Sequence, residues 1–291
     1  MIPRRIVQIW GGGGEPPLLG RAAATNLRLL NPGYEYRLFD DAGMRAYLDR
    51  NFPEYRATFE SFPRPIQRYD FFRYLAIYGL GGFYFDFDVL LAESLDGLLG
   101  QRCVFPFERL TWTDYLRRRH AMDWEIGNYA FGAVPGHPFL LATIRNCARA
   151  QREPAWRDAV TRSLPRLLRD DLAVIYATGP GMASRTLAEY VQDDPVTVLF
   201  PPDVRDRGTW GRFGDHGVHL GAGQWRAHGG AWRRRLVAAL GRRNESRALA
   251  RARAAGPTRS VQALRRVPST QAAEFGTPID GPLGAAHRQR H

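Results

Sequence analysis

"LGGFYFDFDVLL", residues 80–91, places two aspartates, Asp86 and Asp88, one residue apart inside an otherwise apolar run. An ionised carboxylate buried without a partner is costly. The pair therefore requires a compensating charge, or the run must end where water begins. Read as one strand, the run predicts that residues i and i+2 point to the same side. Asp86 and Asp88 then converge, with Phe87 packed on the opposite face. Two carboxylates this close repel unless a cation sits beside them. A divalent cation with hard oxygen ligands, Mn²⁺ or Mg²⁺, is the economical partner. Such an ion neutralises phosphates on a ligand and stabilises a diphosphate leaving group.

Outward from this run, the chain alternates strand and helix patterns. "RIVQIW", 5–10, reads as a strand feeding a four-glycine loop, and "YEYRLFDD", 34–41, as a second strand. Between them residues 18–33 show helical spacing ended by Asn-Pro-Gly, and residues 41–50 read as a helix capped by Asp40 or Asp41. "PIQRYDFFRYLAIYG", 65–79, is the strongest helix, with Pro65 in its first turn. Its apolar side is traced by Ile66, Tyr69, Phe72, Leu75 and Ile77, and Gly79, Gly81 and Gly82 stop it. Further strands are expected at 103–107, 128–134, 196–200 and 217–220, and helices at 138–151 and 181–191. This order predicts an α/β sheet flanked by helices. Ligands of such open sheets bind beyond the carboxyl ends of the strands, where the acidic pair is expected.

The helix before the pair adds charged groups of its own. Asp70 and Arg73 are one turn apart and share a face, and Arg68 is expected near them. They read either as a structural ion pair or as a grip on an oxygen-rich ligand, which suits the paired donors of a guanidinium.

The 291 residues, 44% of them hydrophobic, suffice for a sizeable core. All 41 basic residues behind the net charge of +12 are arginines, so mechanisms that need a catalytic lysine are excluded. Residues 242–291 hold ten arginines and three acids, which is +7 of the total. A tail of this kind binds anionic surfaces or is merely a solvated end. "RALARARAA" reads as a basic helix and "GPLGAAHRQRH" as disordered. Cys103 and Cys147 show no ligand spacing and are expected as free thiols. The opening "MIPRRIVQIW" lacks a signal-peptide pattern, and no stretch reaches the roughly 18 apolar residues of a membrane span. Cytoplasmic residence, peripheral at the inner face of a membrane, is the resulting expectation.

"RYDFFRYLAIYGLGGFYFDFDV" resembles the core signature of the bacterial and fungal glycosyltransferases with a sugar-binding region containing a DXD motif. Members are similar to the yeast Golgi initiating mannosyltransferase and, more distantly, to the glucosylating domain of the large clostridial toxins. "IPRRIVQIWGGG", "NYAFGAVPGHPFL", "ATGP" and "HLGAGQW" resemble the family's outer segments, so the likeness covers about residues 1–225. It implies a GT-A-like, Rossmann-like domain over residues 1–235, followed by a basic, partly disordered tail over 236–291. It further implies a nucleotide-sugar donor and transfer with retention at the anomeric carbon. The implied roles set Trp10 near the nucleobase, Asp70 and Arg73 on the donor sugar, and Asn128 near donor or acceptor. Asp86 contacts sugar, ribose or metal, Asp88 is a direct metal ligand, His219 completes the metal site, and Trp225 closes over the diphosphate. Relatives often carry serine before that tryptophan, where this chain has Gln224. Trp10 as a plain core residue and His219 as a plain core histidine are the alternatives. His137 and His216 receive no role.

The resemblance favours a UDP-hexose as donor, with a GDP-sugar as competitor, and a growing glycan or lipid-linked saccharide as acceptor. A protein acceptor, as in the toxin relatives, is the alternative. The tail would rest the enzyme against an anionic membrane; nucleic acid is not an expected partner. A phosphatase of the haloacid dehalogenase type shares an Asp-X-Asp motif, but on the first strand and with a lysine that this chain lacks. A catalytically inactive sugar-binding protein differs from a transferase in that it does not turn over its donor.

Overall fold

The computed structural model describes residues 1–191, 194–221 and 231–254. Along the chain come β1 (Arg5–Ile9), α1 (Leu18–Leu30), β2 (Glu35–Phe39), α2 (Asp41–Asn51), α3 (Arg56–Ser61), α4 (Pro65–Leu80), β3 (Gly82–Phe85) and β4 (Val89–Leu91). They are followed by β5 (Cys103–Leu110), β6 (Trp124–Ile126), β7 (Ala130–Ala133), α5 (Pro138–Arg152) and α6 (Pro154–Asp158). The last elements are α7 (Arg166–Leu172), α8 (Pro180–Glu189), β8 (Thr197–Leu199), β9 (Gly217–His219) and α9 (Ala231–Ala254).

Seven strands form one mixed sheet in the order β2-β1-β3-β7-β5-β6, with β8 also paired to β5. The β2, β1 and β3 pairings are parallel, and β7 runs antiparallel to both β3 and β5. Alternation along the strands sends successive side chains into two cores, as the pleat requires. Val7, Tyr84, Phe105 and Phe131 face α2, α3, α4, α5 and α8. Ile6, Phe83, Phe85, Val104 and Ala130 face α1 and Leu95–Leu99 on the other side. The expected α/β sheet flanked by helices is therefore present.

Local chemistry sets the element ends. The Asp40 carboxylate caps α2 by accepting from the Gly43 N–H at 2.7 Å. Gly81 ends α4 with a φ of +64°, a conformation that costs a residue without Cβ little. The expected one-sided amphipathicity of α4 is not what is observed. From Asp70 to Ile77 every residue is buried, whereas Ile66 and Tyr69 are only half-buried. The helix enters between β1, β3, β7, α3 and α5, so neighbours cover it on all sides. Cys103 and Cys147 are free and buried.

The expected continuous strand over 83–91 is also corrected. β3 stops at Phe85, residues 86–88 turn, and β4 leaves to pair with β9 in a separate two-stranded ribbon. The Val89 N–H donates to the Asp86 carbonyl across this turn at 3.3 Å. The two aspartates thus lie on a tight turn at the carboxyl end of β3, beside the parallel end of β1. β6, which the sequence pattern did not suggest, continues through Gly127–Tyr129 into β7. The predicted boundary at residue 235 falls within α9, whose Ala248 and Ala252 are buried against Phe107 and Leu110 of β5. Among the described residues no helix is long and apolar enough to cross a membrane.

Gly82 has a φ of +101°, and a Cβ there would lie 2.6 Å from the Arg5 carbonyl oxygen. Gly82→Ala is expected to lower the unfolding free energy by more than about 2 kcal/mol in urea titration. Gly33→Ala, where nothing lies within 4 Å of the new Cβ, should change it by less than about 0.5 kcal/mol.

Candidate functional site

Period-2 alternation aims Tyr84 toward α4, and Asp86 follows on the same side just beyond the strand. There the Arg73 guanidinium meets it at 3.2 Å and also holds Asp70 at 3.0 Å. Arg73 donates a further hydrogen bond to the Asn128 carbonyl at 2.8 Å and lies 4.5 Å from the centre of the Tyr84 ring. The Tyr84 hydroxyl donates to Asp86 Oδ1 at 2.6 Å. Arg73 is 3% exposed and Asp70 5%, so this pair lies beneath the site and not on its surface.

Asp70 is fully enclosed in partners. The Asn128 amide donates to its Oδ1 at 3.1 Å and the Thr178 hydroxyl to its Oδ2 at 3.2 Å. The same amide donates to the Tyr74 hydroxyl at 3.0 Å. Burial pushes the Asp70 carboxyl up to about 6, with Arg73 acting in the opposite direction and Asp86 reinforcing the rise. Burial also disfavours the charge on Arg73, yet Asp86, Tyr84 and Asp70 together hold it above the usual arginine range.

Asp88 is reached from a different element. β4 pairs with β9 in the register Val89↔His219, which sets His219 beside the turn. His219 Nε2 lies 3.3 Å from Asp88 Oδ1. Its ring stacks on Tyr129, centroids 4.2 Å apart and planes 12° from parallel. Burial disfavours the imidazolium, but the hydrogen bond and charge of Asp88 raise it above its usual value. Asp86, Asp88 and His219 each offer one donor atom, all within 4.8 Å of one another.

These residues fit a divalent cation. Two carboxylates and an imidazole form the donor set, and their side chains are 18–29% exposed, accessible to a ligand from one side. Asp70 and Asp86 meet the guanidinium of Arg73, and Asp88 meets the His219 imidazole.

Trp10 stands at the end of β1, half-buried. Its indole N–H donates to the Gly14 carbonyl at 3.0 Å, and its ring meets Phe87 edge-on at 5.3 Å. It is thereby tied to the turn that carries both aspartates. Arg68 faces elsewhere: it donates to the Phe62 carbonyl at 3.1 Å and lies 3.7 Å from Glu60. Trp225 and Gln224 lie outside the described residues. His137 caps α5 by accepting from the Phe139 N–H at 3.2 Å, and His216 Nδ1 lies 2.8 Å from Glu93. Tyr84, Thr178 and Tyr129 were not among the expected site residues. Tyr84 was open to discovery, since it precedes Asp86 by two on one strand. Thr178 and Tyr129 join only through tertiary contacts.

Residues 21–105 match the family model described as "Glycosyltransferase sugar-binding region containing DXD motif". This stretch holds α4, the turn and both aspartates. Among curated proteins the chain is 33% identical over 179 residues to "Inositol phosphoceramide mannosyltransferase 3" of Schizosaccharomyces pombe, covering 62% of this chain and 43% of that protein. It is 32% identical over 117 residues to "Mannosyl phosphorylinositol ceramide synthase SUR1" of Saccharomyces cerevisiae, covering 40% and 27%. The chain spans 43–52% of the length of three inositol phosphoceramide mannosyltransferases of fission yeast that it matches. Of solved structures, "PaToxG Glycosyltransferase" aligns with a TM-score of 0.45 at 14% identity, covering 65% of this chain and 69% of that one.

Arg73→Ala leaves Asp70 buried and Asp86 half-buried without their cation. It is expected to cost about 3–5 kcal/mol of unfolding free energy by urea denaturation. Asp88→Ala, on a more exposed turn, should change stability by less than about 1 kcal/mol in the same measurement.

Proposed function

We propose that this chain is a metal-dependent glycosyltransferase that moves a hexose from a nucleotide-sugar to a hydroxyl of a glycan or a lipid-linked saccharide. The observation that carries the reading is the Asp86–Asp88–His219 cluster at the sheet's carboxyl edge, within and beside the matched sugar-binding region. The named activities of the yeast relatives favour mannose as the sugar. That shifts weight from the UDP-hexose favoured by sequence toward a GDP-linked one. Those names also favour a phosphoinositol lipid as acceptor over a protein.

In this reading Asp86, Asp88 and His219 hold Mn²⁺ or Mg²⁺, and the ion supplies charge neutralisation for the donor diphosphate. Arg73 fixes one side of Asp86 and the Tyr84 hydroxyl fixes the carboxylate rotamer. Asp70, pinned by Asn128 and Thr178, fixes Arg73 in turn, so the acidic turn is positioned before any ligand arrives. Tyr129 holds the plane of the His219 ring by stacking. Trp10 presents an aromatic face for a planar base at the end of the neighbouring parallel strand. Retention at the anomeric carbon follows a front-face route, in which the departing diphosphate takes the proton of the acceptor hydroxyl.

Incubation with GDP-mannose and UDP-hexoses in the presence of Mn²⁺ should release nucleotide from one donor class. Chelation should abolish release, and Asp88→Ala should lower it at least about 100-fold, as loss of a principal electrostatic contact does. Folded protein that releases nucleotide from no donor would mark the chain as a binding protein. Proton NMR of the first-formed product should show the donor's anomeric configuration; inversion would remove the front-face route.

A further inference from the structure

The basic charge near the chain's end is not confined to a loose tail. α9 packs one side on the domain: Val237 and Leu240 meet the cluster around Leu168 and Tyr176, and Ala248 and Ala252 meet β5. The opposite side is solvent-exposed and carries Arg235, Arg242, Arg243, Arg247, Arg251 and Arg253. Among the described residues none of these six is ion-paired. The acid within this stretch, Glu245, is 13% exposed and paired with Arg207. Arg117 and Arg118 extend the basic surface from Tyr115–Arg119, where both share the single carboxylate of Asp114. Burial and the like charges of Arg117 and Arg247 hold Arg251 below the usual arginine range, with Asp114 and Asp123 opposing. Arg117, Arg247 and Arg251 therefore repel one another, with Asp114 and Asp123 the opposing charges.

We infer that the outer face of α9, with Arg117 and Arg118, is a docking surface for an anionic lipid bilayer. Charge complementarity supplies the attraction, since basic side chains near an anionic leaflet are each favourable. Leu236, 44% exposed, lies on the same stripe as Arg243 and Arg247 at helical spacing and offers an apolar contact at the headgroup level. Residues 235–254 contain no aromatic side chain. The assignment deepens the proposed function in one respect, because it rests on the lipid-borne acceptor of that reading. α9 packs directly on β5, which pairs with β6 just before the Gly127–Tyr129 kink, so bilayer docking would fix the site's height and orientation.

The test is flotation of the full-length protein with vesicles, which needs no donor turnover and so stands apart from the activity assay. Binding is expected to vesicles of phosphatidylcholine with phosphatidylserine, not to phosphatidylcholine alone, and is expected to weaken from about 50 mM to about 500 mM salt, over which the Debye length shortens about threefold. Arg243→Glu, Arg247→Glu and Arg251→Glu combined should lower vesicle affinity at least about 100-fold, with an unchanged thermal melt. If that variant melts early, the Gln counterpart at the same three positions should still lower affinity at least tenfold, an order-of-magnitude expectation from lost charge alone. Arg259→Glu, Arg265→Glu and Arg266→Glu combined, outside the described residues, should change it less than about threefold. Equal binding to neutral vesicles, retention by the α9 variants, loss confined to the 259–266 variant, or displacement by equimolar duplex DNA would each overturn the assignment.

Discussion

The Arg73 guanidinium, buried between Asp70 and Asp86, is the contact on which the rest of the site depends. Removing a charge from water is expensive, and only close, hydrogen-bonded counter-charges offset the cost. Here two carboxylates, the Asn128 carbonyl and the Tyr84 ring do so. In return, the arrangement aims Asp86 out of the sheet edge while its backbone N–H is held by the Tyr129 carbonyl. A half-exposed carboxylate is thus oriented by an interior that water does not reach.

The site has two origins that meet at one turn. Asp70, Arg73, Tyr84 and Asp86 come from the helix–strand unit α4–β3 and lie within about 16 residues of each other, roughly one helix and one strand in length. Asp88 and His219 are joined by the β4–β9 ribbon, across nearly half of the chain. Asn128 and Thr178 arrive from the kink after β6 and from the loop before α8 to enclose Asp70. The buried half is rigid by packing. The half that holds Asp88 and His219 hangs on the turn and on a two-stranded ribbon of three residues per strand.

Electrostatics divides the molecule in a similar way. The carboxyl edge of the sheet gathers three carboxylates, whereas α9 and Tyr115–Arg119 gather exposed arginines. In the proposed reading the negative region takes a cation and, through it, phosphates, and the positive region takes an anionic surface. Because α9 is packed on β5, the two regions are held at a constant separation.

Much of this was legible in the amino-acid order. The strand–glycine–helix rhythm, the Asp40 cap, the Pro65 start of α4 and the free cysteines follow from local propensity and spacing, which act over a few residues. The candidate ligands Asp86, Asp88 and His219 were readable from the DXD signature and its outer segments. Tertiary structure decided what alternation could not. It broke the apolar run after Phe85, because β4 pairs with β9 and not with the main sheet, so the aspartates converge through a turn and not through a pleat. It buried α4 on every side, because five neighbouring elements close around it. It also turned Arg68 toward Glu60, brought Thr178 and Tyr129 to the site, and carried the basic segment into a packed helix. Each of these outcomes depends on contacts between residues far apart in the chain, and such contacts leave no period or motif in the sequence around either partner.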